Sequence, residues 1–184
     1  NLLSKILLTL VAMAVLYAIS LQLIQPPLFP IKEINVQVIY GKEKNKAELQ
    51  HVTREQIEQL VRDEIAGNFI SVNLTEVREA FVKLPWVREA RVKREWPHGL
   101  NVTLEEHQAL AYWGSHALVN TYGEVFRVTV DADLPVFTGP NEASAHEVAQ
   151  QFRRFNKILK PLQQHIAEIS LTPRYAWRLQ LNTG

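Results

Sequence analysis

The densest grouping of proton-moving side chains is Glu105-Glu106-His107, two carboxyls and an imidazole in succession. Paired carboxylates suit general acid-base work, and glycoside hydrolysis needs two of them converging across about 5 to 9 Å. The alternation Leu100, Val102, Leu104 ahead of the trio puts it on a strand, so Glu105 and His107 point one way and Glu106 the other. The spacing brings no second acid to either glutamate, and catalysis is not expected there. The histidines His51, His98, His107, His116, His146 and His165 form no i, i+4 pair, and the chain holds no cysteine, nucleophile elbow, glycine-rich phosphate loop or HExxH. No metal, cofactor or covalent chemistry is expected. Lysine and arginine total 20 against 19 aspartates and glutamates, interspersed, which argues against a nucleic-acid partner.

The elements that position these residues begin with an apolar run. From Ile6 to Ile24 no side chain is charged, and Pro26, Pro27 and Pro30 follow. A bilayer core needs about 20 apolar helical residues, so residues 1–25 read as a transmembrane anchor entered at Lys5. A cleaved signal peptide is the competing reading, with Ala18-Ile19-Ser20 as a loose cleavage site. Its apolar region normally runs only about 7–15 residues, which favours the anchor. No second spanning stretch follows Pro30, so the remainder to Gly184 is expected to be soluble on one side of the membrane.

Phe29 to Tyr40 alternates as a half-buried strand. Thr53 with Gln56 reads as a capping box for a helix carrying Ile57, Leu60, Val61 and Ile65 and closed by Gly67. Asn73 caps a second helix lined by Leu74, Val77, Phe81 and Leu84. A hairpin follows, with Ala90, Val92 and Trp96 on one face, a turn at Pro97-His98-Gly99, and Leu100, Val102, Leu104 and Glu106 returning. With Trp96 opposite Leu100, Lys93 faces Thr103 and Arg91 pairs with Glu105. The expected product is a three-stranded sheet with both helices on one face and water on the other.

Beyond it, Ala109 to Trp113, Ala117 to Asn120 and Val125, Phe126 and Val128 read as antiparallel strands around a turn at Asn120-Thr121-Tyr122-Gly123. Ser144 with Glu147 reads as a further capping box opening a long helix whose stripe is Val148, Phe152, Phe155, Leu159 and Leu162. The cations Arg153, Arg154, Lys157 and Lys160 on its other side read as a solvated face. Ile166, Ile169 and Leu171 form a strand, Thr172-Pro173-Arg174 turns, and Trp177, Leu179 and Leu181 form the next.

Leu84-Pro85-Trp86-Val87-Arg88, Arg91-Val92-Lys93-Arg94-Glu95-Trp96-Pro97, Leu104-Glu105-Glu106, Ala111-Tyr112-Trp113, the run Val119 to Phe126, Thr138-Gly139-Pro140 and Thr172-Pro173-Arg174-Tyr175-Ala176-Trp177 appear in one order behind one anchor. This series resembles the FtsQ/DivIB family of bacterial cell-division proteins over nearly the whole chain. The resemblance implies an α+β fold: an N-terminal transmembrane helix, a POTRA domain (β-α-α-β-β) at residues 29–107, and a mostly antiparallel β domain with one long helix at 108–184, its C-terminal part apparently missing. It implies a non-enzymatic divisome scaffold in the bacterial inner membrane at the septum, with cytoplasmic N-terminus and periplasmic domains, helping control septal peptidoglycan synthesis. The alternative is a POTRA-containing translocation or assembly factor handling outer-membrane polypeptides.

The partners implied are FtsB and FtsL at the β domain, FtsK and other division proteins at the POTRA domain and transmembrane helix, and FtsW and FtsI. The main contact with FtsB and FtsL is expected largely beyond Gly184, where a partner strand adds to a sheet edge. By motif, Glu89, Val92, Arg94 and Glu106 correspond to recruitment positions on the second and third POTRA strands, and Arg174 to a position facing FtsB. Packing alone accounts for Val92, and for Arg174 a solvated turn is as good a reading as a partner contact. Arg94, on the apolar parity, resists that explanation. Arg94→Glu and Glu106→Lys are expected to leave the fold intact and weaken recruitment.

Overall fold

The computed structural model describes residues 2–23, 31, 33–39, 46, 47, 49–65 and 68–182. The prolines after the apolar run, the strand ends at Phe29 and Tyr40, and Gly67 lie outside them. Helix α1 (Leu2–Leu23) is long and apolar enough to cross a membrane, and none of its window Leu2–Leu21 is buried by protein. Thr9 and Ser20 donate their hydroxyls to the carbonyls of Ile6 and Tyr17, hiding those two hydroxyls within the helix. The chain divides into two units, residues 1–106 and 107–184.

In the first unit, β1 (Glu33–Ile39), β2 (Lys46–Ala47), β3 (Val87–Glu95) and β4 (Gly99–Glu106) form a sheet in the order β2-β1-β4-β3. The short β2, pairing with Val38 and Ile39, adds a fourth strand to the three expected. β1 runs parallel to β4, Val36 beside Val102, and β3 runs antiparallel to it. Helix α2 (Arg54–Glu64) starts at the expected box: Thr53 Oγ1 accepts from Gln56 N–H, and Gln56 accepts from Thr53 N–H. Helix α3 (Leu74–Val82) is capped by Asn73, whose side-chain oxygen accepts from Thr75 N–H and whose amide donates to Glu76. Ile57, Val77 and Phe81 on the helices close over Ala90, Leu100, Val102 and Leu104 on the sheet. Each of the larger side chains fully removed from water contributes about 1.5–3 kcal/mol.

The hairpin register differs from expectation by two residues. Arg94, not Trp96, opposes Leu100; Lys93 opposes Asn101 and Arg91 opposes Thr103. A slip of two preserves which face each residue occupies, so alternation alone could not detect it. Trp96 leaves the sheet altogether and stands in the turn, 84% exposed. The expected Arg91–Glu105 pair is absent: Arg88 reaches Glu105 at 3.3 Å across an irregularity between Val87 and Glu89, and Arg91 turns to Glu89.

The second unit holds β5 (Ala109–Trp113), β6 (Ala117–Asn120), β7 (Val125–Phe126), β8 (Val136–Thr138), β9 (Ile166–Leu171) and β10 (Trp177–Leu181), in the order β10-β9-β8-β5-β6-β7. β8 is parallel to both β5 and β9, and the other three pairings are antiparallel. Helix α4 (Ala145–Leu159) packs Val148, Ala149 and Phe152 against Phe137, Ile166 and Ile169. Its start differs from expectation. Ser144 makes no side-chain cap; instead Asn141 accepts from Ser144 N–H and opens a short 3-10 turn, Glu142–Ser144, ahead of the helix. The expected stripe holds through Leu159, while Leu162 is 65% exposed because the chain has already passed into another 3-10 turn at Lys160–Leu162.

Candidate partner-binding site

The acidic trio is structural in this setting. Glu105 is buried beside the Arg88 guanidinium. Glu106, on the opposite face and 1% exposed, accepts hydrogen bonds from the backbone N–H groups of Gln50, His51 and Val52 at 3.1, 3.1 and 2.8 Å. Its carboxylate thereby satisfies the donors of the loop entering α2, a charge-assisted arrangement stronger than neutral hydrogen bonds. His51 adds a contact at 3.7 Å and stacks on Trp86 with ring centroids 3.6 Å apart. His107 stacks on Phe126 and shares a hydrogen bond with Asn120. Among the described residues no group of three or more His, Cys, Asp or Glu could hold a metal ion.

The five residues expected to face partners fall into different environments. Glu89, on the wet face of β3, accepts from Arg91 Nε at 2.7 Å. That hydrogen bond holds its carboxyl below the usual carboxylate range; partial burial opposes the shift, and the charges of Arg91, Arg88 and Arg78 reinforce it. Val92 lies on the helix-facing side, packed against the core. Arg94 shares that side. Its Nε donates to Phe69 O at 2.9 Å, and its Nη2 donates to Ile70 O at 3.1 Å and Val72 O at 2.8 Å. The arginine that packing could not explain is the clamp of the α2–α3 loop. Arg174 is exposed in the turn between β9 and β10.

These contacts weigh against the expectation that Arg94→Glu and Glu106→Lys spare the fold. Either reversal strands three backbone groups and sets a like charge or dipole against them. Sequence inspection missed the loop carbonyls because Phe69, Ile70 and Val72 carry no mark of being acceptors; every residue has a carbonyl. The only available signal was a cation on an apolar parity, which indicates an internal anchor as readily as an interface. Of the five, Arg174 stands on open surface and Glu89 is half-buried and held by Arg91, whereas Glu106 is sealed inside.

β3 stands at one margin of the first sheet and β10 at one margin of the second. β3 is densely charged, with Arg88, Glu89, Arg91, Lys93, Arg94 and Glu95, the composition by which a sheet edge discourages indiscriminate pairing while leaving selective pairing open. One parallel-crossed sheet under two helices, followed by a larger sheet with its own helix, defines a POTRA-bearing protein behind an apolar helix.

Comparison with known proteins agrees. Residues 46–107 match the POTRA domain, FtsQ-type, and residues 111–184 match the cell division protein FtsQ/DivIB C-terminal family. The chain is 42% identical over 178 residues to the cell division protein FtsQ of Nitrosospira multiformis, covering 97% of this chain and 73% of that protein. It is 37% identical to FtsQ of Burkholderia pseudomallei, covering 88% of this chain and 62% of that protein, and 35% identical to FtsQ of Bordetella pertussis, covering 100% and 67%. The chain therefore spans between 62% and 73% of the length of these relatives. It belongs to the FtsQ/DivIB family of cell-division proteins.

Proposed function

We propose that this protein is a non-enzymatic scaffold of the divisome. Residues 1–25 anchor it in the inner membrane with the N-terminus cytoplasmic, and a POTRA domain at 29–107 and a β domain at 108–184 stand in the periplasm at the septum. The POTRA domain and anchor engage FtsK and neighbours including FtsW and FtsI; the β domain engages FtsB and FtsL. Septal peptidoglycan synthesis is thereby coupled to assembly. The observation supporting this reading is β3, a charged strand at one margin of the first sheet whose backbone groups an incoming strand can match. Glu89 supplies a selective contact along that strand and Arg174 one at the β9–β10 turn, Val92 and Arg94 hold the POTRA surface in shape, and Glu106 acts only through the loop it binds.

Depleting the protein from its host tests the proposal. Filaments with arrested septa are the expected outcome, with photocrosslinks from position 89 reaching FtsK and from position 174 reaching FtsB. Normal division accompanied by loss of outer-membrane barrels would instead identify an assembly factor for outer-membrane polypeptides.

A further inference from the structure

Trp96 is 84% exposed, an unusual state for the largest apolar side chain in a folded domain. Its position is specific. Glu33, the first residue of β1, pairs with Gly99, so the β3–β4 turn at Trp96-Pro97-His98 lies at the end of the sheet where β1 begins. The α2–α3 loop is at that end too, because Arg94, two residues before Trp96, grips the carbonyls of Phe69, Ile70 and Val72. Ile70, 49% exposed, is thus fixed near Trp96 at one tip. The chain path then ties this tip to α1, which ends at Leu23 while β1 begins at Glu33. A tether of that length reaches at most about 36 Å even when fully extended.

We infer that this tip is a membrane-contacting surface, with Trp96 and Ile70 seated in the headgroup layer of the bilayer that α1 spans. Tryptophan favours that layer because its ring is apolar and its N–H can remain hydrated. Glu33 and Glu95 flank the turn on the wet face, and the Arg94 guanidinium lies on the other. This mixed charge suits a zwitterionic phosphatidylethanolamine surface better than an anionic one. The contact fixes the POTRA unit against its anchor. The inference rests on α1 being inserted.

The full chain reconstituted in phosphatidylethanolamine vesicles, with and without bromine on the acyl chains, tests it. α1 contains no tryptophan, so it cannot contribute to quenching. The emission lost in Trp96→Phe, taken as a difference from wild type, is expected to be blue-shifted, to fall by about half on bromination, and to resist aqueous iodide. A difference emission at the water-exposed wavelength, quenched by iodide and indifferent to bromine, overturns the inference while a carbonate-resistant chain leaves the anchor standing. Release of the chain by carbonate overturns the anchor and the inference together.

Discussion

Three backbone amides, of Gln50, His51 and Val52, converge on the Glu106 carboxylate, so any replacement that cannot accept leaves the buried Val52 amide and the partly buried pair beside it unmatched. Glu106→Lys is expected to cost about 3–5 kcal/mol, the range for an uncompensated buried charge, measured as a lowered urea midpoint with unchanged slope. Arg94→Glu is milder, about 2 kcal/mol, since its side chain is partly hydrated and water replaces some of the lost donors. Weakened septal recruitment in either variant would then report lost folding as well as any lost contact. Arg174→Glu is the cleaner probe and should leave the midpoint within about 0.5 kcal/mol of wild type, whereas Glu89→Lys sets a cation beside Arg88 and Arg91 and should lower it by about 1 kcal/mol. Little of this was legible in the sequence. The motif positions could be found, but which of them were internal anchors depended on loop carbonyls that only the folded chain brings to Arg94 and Glu106.

At the level of elements, alternation located nearly every strand and the 3.6-residue period located the helices, because each has one apolar side and one wet side. Register was not legible, since a slip of two leaves the pattern of β3 and β4 unaltered. The parallel placement of β8 was also hidden: three residues carry no direction. Turns were read more securely. Asn120 accepts from the N–H groups of Tyr122 and Glu124, and Gly123 sits at φ +83°, where its Cβ-less backbone passes His146 of α4. An added Cβ there would lie 2.6 Å from the His146 Cα. Gly123→Ala is therefore expected to destabilise the second unit by about 1–3 kcal/mol, readable as a drop in its thermal midpoint.

For the molecule as a whole, each unit buries its own core, one around Phe81 and one around Phe137. Phe81→Ala and Phe137→Ala should each cost about 3–5 kcal/mol and lower separate calorimetric transitions, the first that of residues 33–106 and the second that of 107–182. A single shared transition shifted equally by both would show one cooperative block. The β8 strand has a further consequence for how the second unit comes to exist. The pairings β5 with β6 and β9 with β10 join neighbours in sequence and close short loops, whereas pairing Val136–Thr138 between β5 and β9 closes longer loops on both sides. That insertion is expected to be the slow event in this half of the chain, readable as a slow refolding phase that substitutions in Val136–Thr138 lengthen.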